Sequence, residues 1–236
     1  LFLATALLHD IGHGAYSHAF EDVFNVNHEV VGSKIILNNK DIREILDEID
    51  SDFASDLAGI ILKNGKNKLI EQLISSQLDV DRLDYLSRDA YFTGAAYGKI
   101  DVDRLIRVLK IKEGQVVFKV SGIHAIENYL ISRYHMYWQV YYHPVSRAYE
   151  VVLEKIYKRV KDLLALGFKF NENLNPLERL MNDTDDIDAY LQIDDYYING
   201  LIAGFLSSED EILKTLSNDF MNRNIWKYVD DVDKNK

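Results

Sequence analysis

The sequence predicts an all-α fold, mostly helical with at most one small β-hairpin. Only 2 prolines and 12 glycines interrupt its 236 residues, and Leu, Ile, Glu, Lys and Asp abound among the rest, a composition that suits helices better than sandwiches or barrels. Apolar residues also recur at helical spacing along most of the chain. With 47% hydrophobic residues, a chain of this length can bury a proper core.

The apolar run from Leu1 to Leu8 reads as a buried helix that Gly12 and Gly14 terminate, because glycine readily takes the backbone angles found past a helix end. His9 and Asp10 then sit at its C-terminal end. The run is too short to span a bilayer and no basic segment precedes it, so no membrane association is expected. The numbering opens on Leu in mid-pattern, which reads as part of a longer polypeptide. A short helix is expected over 17–24, and another over 27–37 with Asn27 as N-cap and Val30, Val31, Ile35 and Ile36 inward. Helical spacing continues over 41–49, 53–63, 68–77 and 79–90. After the turn signal Glu113-Gly114, residues 115–120 read as a strand, half of a hairpin. Two long helices follow, at about 123–142 and 145–165, separated near Pro144. Beyond Gly167, NENLNP and NDTDDID mark loops and caps around short helices, and the closing DDVDKNK reads as frayed.

A formal charge of -11 offers no general positive field to nucleic acid or an anionic membrane. An anionic ligand is still allowed, since a bound divalent cation inverts the local field. The absence of cysteine excludes disulfides and thiolate metal sites and is compatible with a reducing cytosol, the expected location. Any metal ligands must therefore be His and carboxylate.

Four of the seven histidines, His9, His13, His18 and His28, fall within the first 28 residues, interleaved with Asp10, Glu21 and Glu29. A lone histidine on an apolar helix is more often a satisfied core residue; four among carboxylates are harder to dismiss. Adjacent helical residues diverge by about 100°, so His9 and Asp10 converge on one ion only from a helix end. Imidazole with carboxylate suits Mn, Fe, Ni, Zn or, more weakly, Mg. A further carboxylate is needed, and DVDRLDYLSRDA offers Asp79, Asp81, Asp84 and Asp89, although alone that segment reads as an exposed acidic helix face. Glu21 lies three residues from His18, within reach of its imidazole on a helix. Asp81, Tyr85 and Asp89 share a face at i, i+4 and i+8. Tyr134, Tyr137, Trp138 and Tyr141 read as packing, and Lys155, Lys158, Arg159 and Lys161 as a solvated face.

LLHDIGHGAYSH, then NHE, then DVDRLDYLSRDA, in this order over residues 3–92, closely resemble the HD superfamily, specifically its deoxynucleoside triphosphate triphosphohydrolase branch. The similarity continues more weakly through RYHMYWQVYYHP to about residue 165. The resemblance implies a catalytic core over 1–166, truncated at its N-terminus, with 167–236 a helical extension. It implies a divalent metal held by His9, Asp10 and Asp81 together with an upstream histidine that has no counterpart here. It implies that His13, His18 and His28 line the phosphate site, with His18 as general acid or phosphate contact and Glu21 supporting it, and Glu29 beside them. Arg82 is expected on phosphate, Tyr85 on the sugar, Asp89 on the 3'-hydroxyl, and His143 near the substrate. Hydrolysis of a deoxynucleotide at the α-phosphate, a nucleotide effector and a homo-oligomer, dimer or tetramer, follow from the same resemblance. Two other readings stay open: another HD phosphohydrolase, acting as nucleotidase or on signalling nucleotides, and a non-catalytic nucleotide-binding regulatory module.

Overall fold

The computed structural model describes residues 1–224, 226 and 227; the DDVDKNK segment lies outside them. The chain runs α1 (Phe2–Leu8), α2 (His18–Phe24), α3 (His28–Asn38), α4 (Lys40–Asp47), α5 (Phe53–Ile61), α6 (Lys68–Ile74), α7 (Val80–Thr93), α8 (Val102–Val108), β1 (Leu109–Lys112), β2 (Gln115–Phe118), α9 (Ile123–Met136), α10 (Pro144–Ala165), α11 (Asn175–Asn182), α12 (Ile187–Tyr190), α13 (Asp195–Phe205) and α14 (Glu211–Met221). The mostly helical fold with one hairpin is as expected. β1 and β2 pair antiparallel from Leu109 opposite Phe118 to Lys112 opposite Gln115. The turn between them uses positive φ at Glu113 (54°) and Gly114 (73°). Among the described residues no helix is long and apolar enough to cross a membrane.

Two compact units emerge, Leu1–Ile11 with Gly32–His143, and Gly12–Val31 with Pro144–Lys236. Both draw on distant stretches of sequence, so the division does not follow a single cut at 166/167. In the first unit α1 packs on α5 and α6. Ile36, Leu46, Ala54, Leu57 and Ile61 form one core there, against which Leu1, Ala4, Leu8 and Ile11 lie. A second core joins Leu83, Leu86 and Ala90 of α7 to Leu105, Tyr129 and Met136. The second unit centres on α10, which packs on α2 and α14; its Tyr157 meets Phe20 and Phe24 edge-on.

Several local expectations need correction. α1 is not buried all round: Leu3 and Leu7 are 80% and 81% exposed, because a seven-residue helix presents only one face to its neighbours. It ends at His9, in ordinary right-handed geometry (φ -60°), and neither Gly12 nor Gly14 is among the positive-φ glycines. Gly14 is needed for space instead: a Cβ there would lie 2.7 Å from Phe20 Cδ1 and 2.9 Å from Tyr190 Oη. Asn27 does cap α3, accepting from the Val30 amide, but Val30 is exposed while Val31, Ile35 and Ile36 are buried. The helix expected over 123–142 stops at Met136 and passes into a π turn over Tyr137–Tyr141. Tyr134 and Trp138 are exposed, so they do not pack as the stripe suggested. α8 was not foreseen.

Candidate functional site

Two clusters of metal-type donors form among the described residues, one in each unit. The first is His9, Asp10 and Asp81. α1 delivers His9 and Asp10 at its C-terminal end, where the chain has left the helix and neighbouring side chains can converge. α7 delivers Asp81 from its first turn. That turn is set by buried Asp79, the N-cap, which accepts from the amides of Ser76 (2.7 Å) and Arg82 (2.8 Å) and from the Arg82 guanidinium. Asp84 instead forms an exposed pair with Arg88.

His9 Nδ1 lies 3.0 Å from the Ala6 carbonyl, an acceptor, so Nδ1 carries the proton and Nε2 the lone pair. Nε2 faces Asp10 Oδ2 at 3.4 Å and Asp81 Oδ1 at 3.5 Å, beyond a good N–H···O bond, and is buried with no hydrogen-bond partner. A buried imidazole nitrogen facing two carboxylate oxygens is stable when it shares either a proton or a cation with them. The donor atoms lie within 4.8 Å of one another, a spacing that suits a divalent ion bound at about 2.1 Å. The three residues thus fit the implied metal. The Asp81 carboxylate raises the His9 pKa above 6.5; burial opposes it and Asp10 adds to it.

The second cluster is His13, His18, Glu21 and His28. Glu21, whose side chain is only 12% exposed, is its hub. His13 Nδ1 lies 3.0 Å and His18 Nδ1 3.1 Å from Oε1, His28 Nδ1 lies 2.9 Å from Oε2, and the His28 amide donates to Oε2 as well. Each Nδ1 thus faces the carboxylate and each Nε2 faces away. His13 and His28 stack with centroids 4.0 Å apart. One carboxylate thus meets all three Nδ1 atoms and can share protons with them, and the donor atoms of the four residues also lie within 4.8 Å of one another, a spacing a metal ion could use. Burial pushes the Glu21 carboxyl up, but the hydrogen bonds and charge of His28, with His13, outweigh it and leave it below 4.5. Glu29 is not part of the cluster.

Around α7, Tyr85 is half-buried, its phenol pushed up to about 12 mainly by burial. Tyr141 meets it edge-on at 5.9 Å and donates to Asp89 Oδ2 at 2.6 Å; burial, then Asp89, holds the Tyr141 phenol far above its ordinary value. Tyr137 meets Tyr141 edge-on and lies under the Arg133 guanidinium. Arg82 is turned back onto Asp79, with Nε buried and without a hydrogen-bond partner. His143 is exposed and belongs to neither cluster. Sequence reasoning missed the bond between Tyr141 and Asp89, and also Ser17, whose Oγ lies 3.2 Å from His13 Nδ1. The i, i+4 spacing of His13 and Ser17 was the available signal for the second.

Residues 1–89 match the family described as HD domain, and residues 100–235 match the HD associated region. The uncharacterized protein YwfO of Bacillus subtilis is 44% identical over 230 residues, 98% of this chain and 53% of its own length. A Dictyostelium discoideum protein named as a deoxynucleoside triphosphate triphosphohydrolase, the SAMHD1 homolog, is 27% identical over 96% of this chain and 43% of its own length. A crystal structure of a phosphohydrolase from Bacteroides thetaiotaomicron superposes with a TM-score of 0.83 at 34% identity, covering 96% of this chain and 57% of that one. The chain spans about half the length of the curated relatives it matches.

Proposed function

The chain belongs to the HD domain family, whose phosphohydrolases it resembles in sequence and structure, and from that premise we propose that it hydrolyses deoxynucleoside triphosphates to deoxynucleoside and inorganic triphosphate. The observation that carries this reading is the face of α7, where a carboxylate of the metal-type cluster (Asp81), a half-buried phenol (Tyr85) and a carboxylate paired with a phenol (Asp89 with Tyr141) follow one another at i, i+4 and i+8. A phosphate chain, a sugar ring and a sugar hydroxyl would be met in that order.

His9, Asp10 and Asp81 would hold the divalent ion, which when bound withdraws charge from a phosphoryl oxygen. In this reading water attacks the α-phosphorus, the bond from phosphorus to O5' breaks, and O5' takes a proton. His18 is the donor: its side chain is 76% exposed, open to substrate, while its Nδ1 is held by Glu21. His13 and His28, braced by the same carboxylate, neutralise charge developing on the phosphoryl oxygens. Only Ile11 and Gly12 separate Asp10 from His13 in the chain. Tyr85 packs against the sugar and crowds a 2'-hydroxyl, and Asp89 accepts from the 3'-hydroxyl. Arg82 and His143 contact the substrate only if they leave their present surroundings.

The test is a side-by-side assay of the full-length protein with Mn or Mg and dNTP, dNMP or cyclic dinucleotide. Release of triphosphate from dNTP is expected. Diphosphate or monophosphate as product would refute the regiochemistry, and turnover of dNMP or cyclic dinucleotide in its place would favour the other HD chemistries. Nucleotide binding by metal-free protein without turnover would favour a regulatory module.

A further inference from the structure

His13 and His18 are carried on a short turn whose backbone is not at rest. Tyr16 and Ser17, neither a glycine, both hold positive φ, 60° and 54°, with Ser17 at ψ -120°, a combination that side-chain-bearing residues adopt only where surrounding contacts over-determine it. Those contacts come from far along the chain. Tyr190, the last residue of α12, donates through its buried hydroxyl to the Gly12 carbonyl at 2.7 Å. Asp195, in the first turn of α13, accepts from the Tyr16 amide at 2.9 Å. Asn199, one turn later, accepts from the Tyr16 hydroxyl at 2.7 Å. The Tyr190 ring also meets Phe20 of α2 edge-on at 5.7 Å, and Gly14 is what lets the turn lie against both. With its start and its middle pinned in this way, the turn places Ser17 Oγ against His13 Nδ1 and starts α2 at His18.

We infer that the segment from α12 into α13 is the positioning element of the histidine cluster, and that Tyr190, Asp195 and Asn199 are positioning residues for His13 and His18. None of the three carries a reacting atom. They act by keeping the turn in a backbone state it would otherwise leave, so the imidazoles present the same faces to Glu21 and to substrate in every molecule. The activity part of the inference rests on the phosphohydrolase reading; the positioning part does not.

The experiment compares Tyr190→Phe, Asn199→Ala and Tyr16→Phe with Tyr197→Phe in the full-length protein. Tyr197 is the control because it lies on the same helix, and its hydroxyl donates to the Asn173 carbonyl, away from the turn. Two readouts are taken: kcat and KM for dNTP, and the ring-nitrogen NMR resonances of His13, His18 and His28. The tether variants are expected to lower kcat about tenfold with KM changed by less than about twofold, and to shift the His13 and His18 resonances. Tyr16→Phe combined with Asn199→Ala should lose no more than Asn199→Ala alone, since the tyrosine change removes a bond that the asparagine change already removes. Tyr197→Phe should move neither readout. Tether variants whose ring resonances stay at wild-type positions, or a Tyr197→Phe variant that matches them, would overturn the inference. If the protein hydrolyses no nucleotide, the resonances alone still decide it.

Discussion

One carbonyl, that of Ala6, decides which nitrogen of His9 faces the two carboxylates. Such a donor set binds an ion only while all three members are present. Asp10→Ala and Asp81→Ala should therefore each abolish turnover and metal uptake, read by elemental analysis, while circular dichroism stays that of the wild type; full activity in either variant would disprove the ligand assignment. Glu21 permits a pH test. Its folded pKa lies below 4.5, so the stability its ionised form contributes is present above 4.5 and is lost as pH falls through the folded value. The stability gap between wild type and Glu21→Gln, followed by denaturant midpoint, should be largest above that pH and shrink in acid. A gap that widens in acid would mean that the carboxylate is not held by its histidines.

Among the elements, α7 works on two sides. Leu83 and Leu86 enter the core with Leu105, Tyr129 and Met136, while Asp81, Tyr85 and Asp89 lie along a neighbouring face with Tyr85 packed against that core, so the depth of burial on one side sets the register on the other. Leu86 is fully buried, and Leu86→Ala should cost about 3 kcal/mol in chemical denaturation. Gly98 lies in a 3-10 turn pressed on the same helix: an added Cβ would meet Ala90 Cβ at 2.6 Å and the Leu86 carbonyl at 2.8 Å. The second contact is backbone and cannot swing aside, so Gly98→Ala should cost about 1–3 kcal/mol and displace Tyr85 enough to raise KM. A neutral result would mean that the turn has room to move. α7 was legible because Val80, Leu83 and Leu86 recur at helical spacing; that Asp79 caps it, only the structure shows. α8 was not legible, since no glycine or proline separates it from β1 and its apolar residues run on into the hairpin.

For the whole molecule, ligand linkage gives the broadest check. An ion that binds only the folded chain raises its stability by about 2.7 kcal/mol at a hundredfold excess over Kd. Mn should thus raise the melting temperature of the wild type and of Glu21→Gln, whose substitution is in the other cluster, but not that of Asp10→Ala; an equal rise in all three would indicate binding elsewhere. Each compact unit is assembled from separated stretches of chain, so neither boundary is marked by a linker. A change of composition near Gly167 was visible in the sequence, but composition records local solvent exposure and not which distant segments share a core.

The sequence by itself determined the helical class, the hairpin at Glu113-Gly114, and the histidines and carboxylates from which the two clusters form, because helical period, turn residues and motif spacing are local properties of the chain. The tertiary structure decided what faces what. It set His9 Nε2 rather than Nδ1 toward Asp10 and Asp81, made Glu21 the common partner of three imidazoles, gave Asp89 to Tyr141, turned Arg82 back onto Asp79, and bound the strained turn at Tyr16 and Ser17 to Tyr190, Asp195 and Asn199. These pairings join residues up to 183 positions apart. No periodicity reports them, because a hydrogen bond across such a separation depends on how whole elements pack and not on the order of residues within one.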